Sequence, residues 1–220
     1  MRYPSIATYE DLYARYLDRP VSELVDFAGD VKGKVVWDLC CGGGRLAGEC
    51  LRRGASFVLA VDGSPEMTYN LRHAFTAKPD KRFRLEVADV RNYISLSMAE
   101  TPDFVFCRQA VNYWLDEMSA GDLAERMPKG SVFAFNTFTN CPSEMPTTKK
   151  YTFKGHEFVE VSWLVLPNTV HHVQIRDGLE PHVTTFRWIP PSEFIRILEP
   201  HFSLTGHGRD KTGLWRCERK

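Results

Sequence analysis

Val35-Val36-Trp37-Asp38-Leu39-Cys40-Cys41-Gly42-Gly43-Gly44-Arg45 is the stretch that decides the fold. An apolar run ends in an acid, three glycines follow in succession, and Arg45-Leu46-Ala47 opens a helical pattern. That order describes a buried parallel strand, a tight turn and a helix N-terminus. Glycine is used where backbone must approach a ligand closely, because a Cβ would collide with it. The turn therefore reads as a platform for a nucleotide or nucleoside.

Two ligand classes use such a turn. The spacing Gly42-x-Gly44-x-x-Ala47 fits the permissive dinucleotide fingerprint, which would make the chain a dinucleotide-dependent oxidoreductase. A dinucleotide sets its pyrophosphate at the helix N-terminus, where the dipole favours anions. Asp38, at the end of the preceding strand, would repel that anion. S-adenosylmethionine carries a sulfonium and an α-ammonium group, and an acid at the strand end suits that cargo.

Two more acids follow the same logic. Phe57-Val58-Leu59-Ala60-Val61-Asp62 is an apolar strand ending in a carboxylate able to accept from both ribose hydroxyls, in either ligand class. Phe83-Arg84-Leu85-Glu86-Val87-Ala88 precedes Asp89, placed to accept from an adenine amino group. Each acid also reads as a helix cap on its own. Three acids at successive strand ends are harder to explain by capping, most clearly for Asp38 and Asp62.

These residues resemble the class I S-adenosylmethionine-dependent methyltransferases, in the branch that acts on small molecules. The resemblance rests on the glycine stretch, then Ala60-Val61-Asp62-Gly63-Ser64-Pro65-Glu66-Met67, then Val87-Ala88-Asp89-Val90. Pro102 to Gln109 resembles that family's fourth strand, and Met127 to Phe133 the lead into its fifth. The motifs span about the first two-thirds of the chain, in the family's order. The resemblance implies that Asp38, Cys40, Gly42 and Gly44 surround the methionine part of S-adenosylmethionine, and that Asp62 holds the ribose. It further implies that Gly63 and Met67 border the adenosine, that Asp89 and Val90 meet the adenine, and that Arg108 lies beside the sulfonium. The family usually carries glycine where this chain has Cys40. S-adenosylhomocysteine would be the product.

The 220 residues suit a single domain with 28 basic and 28 acidic side chains. That balance announces no basic face, so a small-molecule substrate is expected rather than nucleic acid. The six cysteines contain no C-x-x-C pair. Thiols buried at strand ends suit a reducing compartment, and no apolar run approaches the ~20 residues of a membrane span. A cytoplasmic protein, monomeric or homodimeric and without membrane contact, is expected.

The expected architecture is α/β: a doubly wound, mostly parallel seven-stranded sheet with an antiparallel meander inserted. Residues 1–30 would form a helical cap, with helices at 8–17 and 21–27. Residues 31–140 would be the cofactor-binding core, with strands at 34–39, 56–62, 83–88, 103–107 and 131–136 and helices at 45–53, 65–76 and 119–127. Strand–helix alternation argues a parallel sheet, whose ligands bind beyond the carboxyl ends of the strands. Residues 141–150 read as a loop, and residues 150–189 as an antiparallel lid insertion with three strands at 157–166, 169–176 and 182–189 and turn signals between. Residues 190–220 would close the fold with a helix at 193–198, capped by Ser192, and a hairpin of 202–207 and 213–218.

Acceptor contacts are expected from three groups. Gln109, Asn112, Tyr113 and Trp114 follow the fourth strand, beside the donated methyl. Tyr9 and Tyr16 share one face of the first helix and would close over the cofactor, although such a stripe is more often a packing face. In the meander, Arg187, Trp188 and one of the adjacent pair His171 and His172 would reach the pocket, since neighbours on a strand point to opposite faces. His171, His172 and Tyr113 are the candidate bases, and no metal site is expected. The Asn-Pro-Pro-Tyr and Asp-Pro-Pro-Tyr motifs of nucleobase amine methylation are absent after the fourth strand, where Cys107-Arg108-Gln109-Ala110 stands. Transfer of methyl to a small-molecule nitrogen or oxygen is the favoured activity, with a non-catalytic cofactor binder of the same fold as an alternative.

Overall fold

The computed structural model describes residues 8, 11, 12, 20–96, 100–137, 143–206 and 213–220. Most of the expected first helix, including Tyr9 and Tyr16, lies outside these residues. Residues 8, 11 and 12 are helical, and Leu12 is buried.

The chain begins its core with α1 (Ser22–Ala28), then alternates β1 (Val35–Leu39), α2 (Arg45–Arg52), β2 (Phe57–Asp62), α3 (Tyr69–Ala77) and β3 (Phe83–Val87). It returns across the sheet through α4 (Val90–Leu96), β4 (Phe104–Arg108), a 3-10 turn (Val111–Tyr113), α5 (Glu117–Arg126) and β5 (Val132–Asn136). The final segments are α6 (Pro191–Leu198), β10 (Phe202–Gly206) and β11 (Leu214–Arg219). The strand order is β10-β11-β5-β4-β1-β2-β3, with β1 to β5 parallel and β11 antiparallel to both neighbours. Chain direction across the sheet reverses between β1 and β4. The carboxyl ends of those two strands are therefore the topological switch point, where such sheets open a crevice.

Strand alternation divides the core into two. Trp37, Leu39, Leu59, Val61, Phe133 and Phe135 pack with α4, α5 and α6 on one face. Val36, Val58, Ala60, Phe106 and Ala134 pack with α1 and α2 on the other. Burying each large apolar side chain contributes about 1.5–3 kcal/mol. Helix α2 turns Leu46, Ala47 and Cys50 inward, while Glu49 binds Arg52 and Arg53 outside at 2.7 Å each. Helix α5 starts on a capping box, in which Asp116 accepts the Ser119 amide and the Ser119 hydroxyl accepts the Asp116 amide, each at 2.8 Å.

The inserted segment is a four-stranded antiparallel sheet, not a three-stranded one. It comprises β6 (Thr147–Phe153), β7 (His156–Val165), β8 (Thr169–Arg176) and β9 (His182–Arg187), in that order. The expected loop at 141–150 thus runs into an edge strand, which stays exposed over its first four residues and so lacks the apolar alternation of a half-buried strand. Asp11 meets Arg176 of β8 at 2.9 Å.

Three smaller expectations change. Helix α4 follows Asp89 directly. Helix α3 begins at Tyr69 rather than 65, because Ser64 to Thr68 form a turn in which the Ser64 hydroxyl accepts the Met67 amide at 3.2 Å. Ser192 does not cap α6: Pro190 holds the cap position and Pro191 the first helical one, where a missing N–H is harmless.

Candidate cofactor cleft

A cleft of about 260 Å³ opens at the switch point. The glycine turn forms its floor, and Asp38, Asp62, Asp89 and Arg108 stand around it. Cys40, Gly42, Gly63, Met67 and Val90 line it as well, so these sequence candidates come together in one place.

Asp38 is the penultimate residue of β1, with only 1% of its surface exposed. Its Oδ2 accepts the Ala47 amide of α2 at 3.0 Å. Burial pushes its carboxyl up to about 7; the Ala47 amide opposes the rise, the charge of Asp62 adds to it, and Arg108 opposes it. A buried acid in this condition gains most from a cationic neighbour.

Asp62 ties two turns together. Its Oδ2 accepts the Gly42 amide and its Oδ1 the Ser64 amide, each at 2.8 Å. Burial raises its carboxyl and these two amides oppose the rise. A carboxylate offers about four acceptor positions, so two remain for a ligand. Asp89 is exposed and caps α4, its Oδ1 accepting the Asn92 amide at 3.2 Å. The capping readings of all three acids therefore have structural substance, and all three still line the cleft.

The turn needs left-handed backbone. Cys40 has φ 57°, which explains why glycine suits this position and why a non-β-branched residue is tolerated. Gly44 has φ 73° and caps α2, but it does not line the cleft. A Cβ there would lie 2.4 Å from Leu71 Cδ1, so this glycine serves the packing of α3 against the turn. Gln109, at the end of the adjacent β4, is the second left-handed non-glycine residue at the switch point, with φ 60°. Its amide donates to Asn136 Oδ1 at 3.0 Å.

The acceptor candidates separate. Gln109, Tyr113 and Trp114 line the cleft. Tyr113 is 39% exposed, and its ring meets Phe186 of β9 edge-on at 6.2 Å. Trp114 is buried and donates its indole N–H to Cys107 Sγ at 3.3 Å. Asn112, Arg187 and Trp188 do not line it. Asn112 is buried between Thr137 and the Arg187 carbonyl, Arg187 donates to the Leu115 carbonyl, and the Trp188 amide donates to Asn168 at 2.7 Å. His171 stacks on Trp163, 5.2 Å between ring centres. His172 points to the opposite face, where Nε2 meets Gln174 Oε1 at 3.2 Å and burial lowers its pKa. Neither histidine lines the cleft.

Sequence reasoning did not single out Arg45, Leu46 and Ser64, which also line the cleft. Their signal was contiguity with the motifs. Among the described residues no cluster of His, Cys, Asp and Glu is placed to hold a metal, and no helix is long and apolar enough to cross a membrane.

Residues 36–129 match the family described as a methyltransferase domain. No curated protein sequence matches the chain. Among solved structures, an S-adenosylmethionine-dependent methyltransferase from Clostridium acetobutylicum superposes with a TM-score of 0.72 at 17% identity, covering 97% of each chain. CalS10, an amino pentose methyltransferase from Micromonospora echinaspora solved with S-adenosylmethionine bound, gives 0.70 at 16% identity, covering 100% of this chain and 99% of that one. The sugar N-methyltransferase KedS8 from Streptoalloteichus gives 0.66 at 15%, covering 96% and 92%. The fold is that of the class I methyltransferases.

Proposed function

We propose that this chain, whose residues 36–129 carry the methyltransferase-domain pattern, moves a methyl group from S-adenosylmethionine to a nitrogen or oxygen of a small polar acceptor. The observation that carries the reading is Asp38: a carboxylate buried at the switch point, with its pKa pushed up to about 7, beside a glycine turn. A cationic guest restores its charge, whereas a pyrophosphate at the start of α2 would meet a like charge.

Bound S-adenosylmethionine would supply a methyl already activated by the sulfonium. Asp38 would pair with the α-ammonium group, the free acceptor positions of Asp62 would take the ribose hydroxyls, and Asp89 would take the adenine amino group. Met67 and Val90 would enclose the base. Gln109, Tyr113 and Trp114 would bound the space for the acceptor, and the second sheet would act as a lid. Holding an acceptor in line with the methyl supplies much of the rate, and excluding water sharpens the electrostatics. Tyr113, the candidate base that lines the cleft, is the one we assign beside the acceptor. The amino pentose and sugar nitrogen named for CalS10 and KedS8 support a polar acceptor of that general kind. The five described cysteines are unpaired, which suits a reducing, cytoplasmic setting.

Competition calorimetry decides between the ligand classes. S-adenosylhomocysteine should bind and NADH should not; NADH binding that S-adenosylhomocysteine cannot displace would overturn the proposal. Transfer of labelled methyl to a panel of amines and hydroxy compounds then separates an enzyme from a binder of the same fold.

A further inference from the structure

The segment 109–116 leaves β4 and forms one wall of the cleft through Gln109, Tyr113 and Trp114. Arginines hold it from two sides. From α4, Arg91 donates through Nε to the Trp114 carbonyl at 2.8 Å, and its Nη2 meets Asp116 at 3.2 Å. Arg91 directly follows Val90, which lines the cleft on the Asp89 side. From β9, Arg187 donates to the next carbonyl, that of Leu115.

A reciprocal bond runs the other way. Asn112 Nδ2 donates to the Arg187 carbonyl at 2.8 Å, while Asn112 Oδ1 accepts the Thr137 hydroxyl at 2.8 Å, just beyond β5. The ring contact of Tyr113 with Phe186 closes the same seam. Lifting β9 would strip the donor from the Leu115 carbonyl and the acceptor from the Asn112 Nδ2 group, in a region where unsatisfied polar groups are costly. The second sheet is thus fastened to the wall that a cofactor would touch.

We propose that Arg187 and Asn112 are positioning residues that join the second sheet to the cleft wall, so that a ligand filling the cofactor cleft slows the opening of β8 and β9. The inference rests on the reading that the cleft binds S-adenosylmethionine and its product. The coupling is reciprocal: whatever holds the sheet down also tightens cofactor binding. Neither side chain needs to touch the acceptor.

Hydrogen exchange on the full chain, with and without S-adenosylhomocysteine, tests this. In the wild type, exchange should slow in peptides covering 38–47 and 57–64 and also in peptides covering 169–187, the latter by about fivefold or more. In Arg187→Met and in Asn112→Ala the first two regions should keep their slowing while the last loses it. Arg187→Lys, which retains a donor, should recover part of it. Slowing at 169–187 that survives in both Arg187→Met and Asn112→Ala, or that is missing from the wild type while the first two regions respond, overturns the coupling. A ligand that changes nothing in 38–47 and 57–64 overturns the cofactor reading itself, and this inference with it.

Discussion

Asp38 and Ala47 are joined by a 3.0 Å hydrogen bond from the third amide of α2 to the carboxylate near the end of β1. One oxygen of Asp38 thus serves the fold, while the residue borders the cleft and its burial raises the pKa to about 7. A group kept for folding alone would do as well without charge, and that difference is measurable.

The unfolded chain has Asp38 near its ordinary value of 3.8, below the folded one. Between about pH 4 and about pH 7 the folded protein therefore binds more protons, and the stability Asp38 contributes is lost as pH rises through that window. Asp38→Asn can still accept the Ala47 amide through its side-chain carbonyl. Unliganded Asp38→Asn should match the wild type near pH 4 and exceed it above about pH 7, by an amount on the order of a few kcal/mol. Urea unfolding across this range checks it. A variant less stable than the wild type at about pH 8 would contradict the cost assigned to the buried charge.

Cys40 and Gly44 respond differently to substitution because their left-handed backbones serve different ends. Cys40→Gly should relieve strain and leave S-adenosylhomocysteine binding within about threefold, whereas Cys40→Val should destabilise by about 1–3 kcal/mol, since a β-branched residue is least tolerated there. Gly44→Ala adds the collision with Leu71 to its backbone cost and should lose about 2 kcal/mol or more. Thermal unfolding of the three variants measures the order.

Asp62 and Asp89 should not contribute equally. Asp62→Ala removes the acceptor for the Gly42 and Ser64 amides together with the proposed ribose contacts, so affinity should fall on the order of a hundredfold. Asp89→Ala loses an exposed cap and one proposed base contact, and about a fivefold to tenfold fall is expected. Titration with S-adenosylhomocysteine compares them. Equal losses would contradict the roles assigned.

Much of this was legible in the chain because the signals are local. The glycine turn and the acids Asp38, Asp62 and Asp89 recur at strand ends, and the continuous apolar runs of β1, β2, β4 and β5 mark strands buried on both faces. Strand β6 was missed because Thr147-Thr148-Lys149-Lys150 is an exposed edge, whose lysines discourage further pairing rather than mark a buried face. Helix α4 was legible only through Asp89 as an alternative cap, its seven residues being too short for a periodic pattern. The same limit holds in the site. Gly44 looked like a ligand glycine because its collision partner, Leu71, is 27 positions away and no spacing rule links them. Asn112 and Arg187 looked like acceptor contacts because their chemistry suits one; their hydrogen bonds to each other's segments span 75 and 72 positions and arise only from the fold.

The central claim is that Asp38 receives a positively charged guest. Calorimetric titration of S-adenosylhomocysteine at about pH 7, in two buffers of different ionisation enthalpy, tests it most directly. With its pKa about 7, Asp38 is about half protonated in the free protein, so binding should release about half a proton, and Asp38→Asn should release none. Proton uptake by the wild type, or an undiminished release from the variant, would contradict the account.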